Sequence, residues 1–306
     1  MWKRVLEPRK IDERGYVELG GIRQWVQVRG TDPAHPVLLV LAGHGLSMVP
    51  FTPLLAAWER HFTVVLWDRR AVGRTRVADI SDLTFDRLAA DGIELIEHLG
   101  RGPVVLLGHS QGSVTGVRIA RRRPDLVRAY AGLGQMADMP RNEVLAYDWT
   151  RRAAESRGRR RVVAGLDRLG RPPYPTPAGW IRRLRYAMAV DPEIGAWQRA
   201  LLVRPLLMPG LGPRDHWHTL FDAMRLPQGL YDETMAVTPQ TLGTRFEVPV
   251  VFLHGTDDHY AWTEPAREYL DAIEAPSKEF VPLDGLGHLG PILEPDRLLA
   301  ELRPRF

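Results

Sequence analysis

The chain has 306 residues and 34.6 kDa, with 44% hydrophobic and 25% charged residues and a formal charge of +4, the balance of an ordinary globular protein. No run approaches the ~20 apolar residues of a membrane-spanning helix, and Glu7, Arg9 and Lys10 stand where a signal peptide keeps its apolar segment. The absence of cysteine excludes disulfides, a thiol nucleophile and thiolate-bound zinc, and suits a cytoplasmic protein.

Residues 16–19 and 22–28 alternate polar and apolar side chains around Gly20-Gly21, which predicts an antiparallel hairpin with one wet face. Segments 37–41, 62–67, 104–107 and 127–133 are continuously apolar, as strands covered on both faces are. Helical patterns at 51–60, 84–99 and 111–123 lie between them, the second closed by Gly100 as a C-cap. Strand–helix alternation of this kind predicts the α/β class, with a parallel sheet and right-handed crossovers.

The alternation stops after Leu133 and resumes with a strand at 248–253, a helix at 264–273, a strand at 279–281 and a last helix from Pro295. The expected organisation is therefore a core of residues 1–135 and 246–306, with a helical cap inserted at 136–245. The cap is basic: residues 141–214 hold 15 arginines against six acids. A solvated helical face accounts for most of these cations. Arg121–Arg123 and Arg159–Arg161 lack the interleaved aromatics of a single-strand binder, so no nucleic-acid partner is expected. Arginines beside a pocket would favour a small anionic substrate.

Gly108-His109-Ser110-Gln111-Gly112 fits G-x-S-x-G between an apolar strand and a helix. A turn that sharp needs small residues around the serine and presents its hydroxyl at a helix N-terminus. Serine becomes a nucleophile only when a base takes its proton and a carboxylate orients the base. In this topology acid and histidine follow later in the chain, each just beyond a strand. His288, in the glycine-rich loop 285–290, is the candidate base; Asp257, Asp258 and Asp284 compete as the acid. An oxyanion needs two donors already aimed at it. Gln111 N–H is one candidate. The loop Ala42-Gly43-His44-Gly45-Leu46 offers the other through His44 N–H, with Gly45 as the neighbouring alternative, and its glycines Gly43 and Gly45, candidate pocket residues, allow close approach to a ligand.

With these motifs in place the chain resembles the α/β-hydrolase-fold serine hydrolases, and more narrowly their prolyl aminopeptidase-like branch. Trp67-Asp68-Arg69-Arg70 with Gly73-Arg74-Thr75 is similar to that branch's W-D-Q-R-G-x-G-R-[ST]. The resemblance implies an α/β-hydrolase fold: a mostly parallel eight-stranded sheet flanked by helices, with an inserted helical cap. It also places the acid three residues past Gly255, at Asp258, and implies no metal or organic cofactor. Two departures bear on substrate. The branch's H-G-G-P-G and G-G-S-W-G become Ala42–Leu46 and Gly108–Gly112 here, and the cap is rich in arginine rather than in acids that would anchor a free amine.

The expected activity is hydrolysis of a small-molecule ester, lactone or amide through an acyl-enzyme on Ser110. The alternatives are a prolyl aminopeptidase and a fold member that binds or cyclises a small molecule without acyl-enzyme chemistry. His109 and His254 read as structural, whereas His259, Trp149 and Trp217 are candidate pocket residues. His216 and His218, two residues apart, would lie on different faces of a helix and do not suggest a metal site.

Overall fold

A computed structural model describes residues 11–194 and 226–306. Strands β1 (Ile11–Leu19) and β2 (Ile22–Gly30) form the expected hairpin, with Gly20 and Gly21 both at positive φ, 55° and 74°, in its turn. The sheet continues with β3 (Val37–Leu41), β4 (Thr63–Asp68), β5 (Val104–His109), β6 (Val127–Leu133), β7 (Val250–Gly255) and β8 (Lys278–Leu283). Its eight strands lie in the order β1-β2-β4-β3-β5-β6-β7-β8, antiparallel up to β4 and parallel from there to β8.

Successive side chains of a strand face opposite sides of the sheet, so each central strand feeds two cores. In β3, Leu39 and Leu41 pack with Leu88 and Ile96 of α1 (Phe85–Leu99) and Val117 of α2 (Gln111–Arg122). Leu38 and Val40 face the other way, onto Phe51, Trp58 and Leu302. This explains why the central strands lack alternation. Edge strand β8 keeps it, with only Val281 and Leu283 buried. Helix α1 starts where Thr84 Oγ1 accepts the Arg87 N–H and ends at Gly100, φ 58°, as its sequence predicts.

One expectation fails. Segment 51–60 is not an α-helix but two 3₁₀ turns, Val49–Leu55 and Trp58–Arg60. Pro50 and Pro53 remove backbone donors, and Pro53 lies within the first turn, where it would break an α-helical ladder.

Between β6 and β7 lie α3 (Met139–Ser156), α4 (Arg160–Leu169), α5 (Pro177–Val190), α6 (Gln228–Met235) and the short α7 (Pro239–Leu242). A buried ion pair joins α3 to α5. The Glu143 carboxylate accepts from Arg183 Nε at 2.9 Å, from Arg183 Nη2 and from Trp180 Nε1 at 3.0 Å. Both members of the pair are at most 2% exposed. Other arginines of this segment lie at the surface, where Arg151 meets Asp167, Arg171 meets Asp148 and Arg141 meets Glu268. After β7 come α8 (Thr263–Ala272), α9 (Gly290–Leu293) and α10 (Pro295–Leu302).

Breaking the buried pair strands a charge, which costs more than replacing both members. Arg183→Met is expected to destabilise the protein by about 3–5 kcal/mol in chemical denaturation, and adding Glu143→Leu should recover most of that loss. Equal stability of the single and double variants would contradict this account.

Candidate active site

Ser110 sits between β5 and α2 with φ 54° and ψ −124°, a conformation non-glycine residues rarely adopt. Its surroundings hold it there. The Ser110 N–H donates to Leu133 O at 3.1 Å, and Ser110 O accepts from Ser113 N at 2.8 Å and from Ser113 Oγ at 2.5 Å. Ser113 Oγ accepts in turn from Met136 N at 3.1 Å. A side chain on Gly112 would begin 1.9 Å from Leu41 O, and one on Gly108 would begin 2.8 Å from Gly112 O. The two glycines of the pentapeptide are therefore demanded by backbone approach, not by φ.

Asp258 lies in the turn after β7, 3% exposed. Its Oδ1 accepts from Tyr260 N and Ala261 N, both at 2.8 Å, and its Oδ2 accepts from His288 Nδ1 at 2.8 Å. Burial alone would raise the carboxyl pKa. The imidazole charge and hydrogen bond of His288, then His254 and the backbone donor at Ala261, outweigh burial and hold it at about 2. Burial likewise works against a charged His288, but Asp258 first, then Glu193 and Asp191, raise its pKa above the ordinary 6.5. The Nδ1–H bond leaves the Nε2 lone pair as the ring's basic site. Asp257 and Asp284 are exposed, so the structure brings Asp258 alone of the three candidate acids to His288.

Two neighbours join Ser110 to this pair. Gly134, next to the carbonyl that receives Ser110 N–H, has φ 53°, and a side chain on it would begin 3.1 Å from Asp258 Oδ2 and 3.2 Å from His288 Nδ1. On the other side the His109 ring lies 4.8 Å from that of His288 and donates through Nε2 to His288 O at 3.1 Å. Burial and the charge of His288 lower the His109 pKa to about 3, so it stays neutral and does not compete as a base. His254, also kept neutral by burial, donates to Ala261 O at 2.7 Å and braces the acid turn. Both histidines thus hydrogen-bond to backbone carbonyls of the loops around the site.

The loop after β3 meets the elbow directly. A side chain on Gly43 would begin 3.1 Å from Ser110 Cβ, and Gly45 has φ 60°. Arg69, buried and with its pKa lowered to about 10 by burial, donates to Gly43 O at 3.3 Å. His44 Nδ1 donates to Gln111 Oε1 at 3.2 Å, and Gln111 Nε2 donates to Thr234 Oγ1 of α6 at 3.0 Å. Gln111 opens α2, so its N–H has no intrahelical carbonyl one turn back to bond.

Of the candidate pocket residues, Trp149 stacks on His259 at 4.1 Å, and His259 meets Trp262 edge-on at 5.5 Å. Trp217, His216 and His218 lie outside the described residues. Asp68 and Arg70 fix neighbouring segments: Asp68 accepts from Ser47 Oγ and Arg74 N, while Arg70 pairs with buried Asp91. Sequence reasoning missed Arg69, Asn142 and Glu193. Asn142 of α3 donates to Tyr260 O at 2.8 Å and accepts from Trp262 N at 2.9 Å, clamping the acid turn. Arg69 stands within a motif that could have flagged it; Asn142 and Glu193 carry no local signal. Among the described residues no cluster of His, Asp or Glu could hold a metal ion, and no helix is long and apolar enough to cross a membrane.

This geometry predicts that Asp258→Asn lowers kcat/KM by about 10⁴-fold, because an amide stabilises the wrong imidazole tautomer, while Asp257→Asn has little effect. A base must be neutral to accept a proton. Activity should therefore fall with decreasing pH through a pKa above 6.5, that of His288. An acid limb below that value would contradict the assignment.

A search of known proteins agrees with this architecture. The chain is 28% identical over 300 residues to the probable aminopeptidase YbaC of Bacillus subtilis, the match covering 91% of each chain. The solved proline iminopeptidase-related protein TTHA1809 from Thermus thermophilus shares the fold with a TM-score of 0.66 at 22% identity, over 96% of both chains. The epoxide hydrolase VrEH1 from Vigna radiata does so with a TM-score of 0.58 at 23% identity, over 96% of this chain and 98% of its own. The model of the alpha/beta hydrolase family matches residues 37–302, and the chain belongs to that family.

Proposed function

We propose that the protein is a serine hydrolase acting on a small-molecule carboxylic ester, lactone or amide through an acyl-enzyme on Ser110. The observation that carries this reading is the hydrogen-bonded Asp258–His288 pair, linked through His109 to the neighbouring serine held at positive φ. In this reading His288 Nε2 takes the hydroxyl proton as Ser110 Oγ bonds to the substrate carbonyl carbon. The carbonyl electrons pass to oxygen, where Gln111 N–H and His44 N–H stabilise them. Collapse breaks the bond to the leaving group, which receives the proton from His288. Water then attacks the acyl-enzyme by the same route and releases the acid and free Ser110. Asp258 keeps the proton on His288 Nδ1 and stabilises the imidazolium. Residues 136–245 act as the cap that shapes the pocket, with Trp149 and His259 at its rim, and the protein works in the cytoplasm.

A second reading, an aminopeptidase, is favoured by the nearly full-length match to a probable aminopeptidase and by the acids Asp191 and Glu193 near His288. The arginines of α3 and α4 favour an anionic acyl compound instead, through a long-range field that salt screens over about 8 Å.

Ser110→Ala is expected to abolish labelling by a fluorophosphonate and to lower turnover at least about 10³-fold while leaving the fold intact. Retained labelling would reject Ser110 as the nucleophile. Matched anionic and neutral esters, with a proline aryl amide, test the substrate. A kcat/KM that falls with salt for the anionic ester alone supports anion steering, and faster cleavage of the proline amide supports the aminopeptidase reading.

A further inference from the structure

Glu193, just beyond α5, reaches from the inserted helices onto the loop carrying His288. Its Oε2 accepts from Leu289 N at 3.1 Å. A side chain on Gly287 would begin 2.6 Å from Glu193 Oε2, and one on Gly290 would begin 2.9 Å from Oε1. Neither glycine has a positive φ; the smallness of Gly287 answers to the space the carboxylate fills, and that of Gly290 to the carboxylate together with the Leu286 side chain. The backbone is fixed as well: Glu193 N donates to Asp191 Oδ1 at 2.8 Å.

We propose that Glu193 is a positioning residue for His288, holding the loop 287–290 in the register that aims Nε2 at Ser110 and placing a second negative charge near the imidazolium behind that of Asp258. The proposal rests on the serine-hydrolase reading for its consequence in catalysis, but not for the effect on His288 itself. Groups on every side of the ring enter the balance. Asp258 lies on the acid turn, with His254 beside it; His109 lies on the elbow, Tyr260 packs at 5.5 Å, and Asp191 and Glu193 approach from the inserted helices. Asp258, Glu193 and Asp191 raise the affinity of His288 for a proton, whereas burial opposes it. Burial raises the pKa of Glu193 too, with the Leu289 N–H and the charge of His288 working against that rise.

Two variants separate charge from shape. Glu193→Gln keeps an acceptor for Leu289 N–H and the volume beside Gly287 but removes the charge, whereas Glu193→Ala removes all three. The imidazole of His288 is titrated by NMR in the Ser110→Ala background, where turnover plays no part. Its pKa is expected to move down in Glu193→Gln, and the acid limb of kcat/KM in the Ser110 enzyme should move the same way. Glu193→Ala is expected to lose about 10- to 100-fold in kcat with little change in KM, as misplacement of a catalytic group does, and Glu193→Gln to restore most of it. An unmoved His288 titration in Glu193→Gln overturns the electrostatic part. Wild-type kcat in Glu193→Ala overturns the positioning part. If Glu193→Ala fails to fold by circular dichroism, Glu193→Asp, whose shorter arm pulls away from Leu289 N–H, takes its place, and wild-type kcat there overturns the same part. A missing fluorophosphonate label on the wild type would sink the hydrolase reading and leave the His288 titration still decisive for Glu193.

Discussion

A carboxylate taken out of water must find its whole hydration shell in the protein, and Asp258 is such a group. Two backbone N–H groups and one imidazole N–H replace its water, and its pKa stays near 2 in spite of burial. That requirement dictates the local chain path. The turn after β7 must curl until Tyr260 and Ala261 point their N–H groups inward, and the loop after β8 must deliver His288 to the remaining oxygen. Any slip of one residue in either loop would leave a buried charge short of a donor, at a cost of several kcal/mol.

The loops that meet at Ser110 are short or rich in glycine, and they are steadied by the helices between β6 and β7 at three separate points. Thr234 of α6 takes the side chain of Gln111 and, through it, that of His44. Asn142 of α3 grips the acid turn at both a carbonyl and an N–H. Glu193 takes the N–H of Leu289. Each contact is a hydrogen bond between a polar side chain of the insertion and an element that carries a candidate catalytic group. The helices are themselves held by a desolvated pair, Glu143 and Arg183. A shift of the insertion would therefore be felt at the elbow, the acid turn and the histidine loop together.

The legible part of the site was written in short-range constraints. Gly108 and Gly112 betray the elbow because backbone atoms crowd them within their own strand–turn–helix unit and the strand beside it. Resemblance implies Asp258 rather than Asp257, and burial supplies the physical reason: Asp257 is exposed and Asp258 is not. Segment 51–60 has the apolar spacing of a helix, but its prolines permit only 3₁₀ turns. The arginine excess was visible, but not that Arg183 would be consumed by Glu143 or that Arg151 and Arg171 would pair with surface acids.

By itself the sequence determined the strand–helix alternation, the elbow, the histidine loop and the place of the insertion, because each depends on periodicity or on steric demands within a few residues. Only the tertiary structure decided which carboxylate faces His288, that His109 donates to the His288 carbonyl, that Arg69 supports Gly43, and that Asn142 and Glu193 reach the turn of Asp258 and the loop of His288 from α3 and from just beyond α5. Those contacts join residues 26 to 179 positions apart. A polar side chain on a helix looks the same in the sequence whether it meets water or a buried N–H; packing alone brings it within hydrogen-bond distance of one partner and out of reach of solvent.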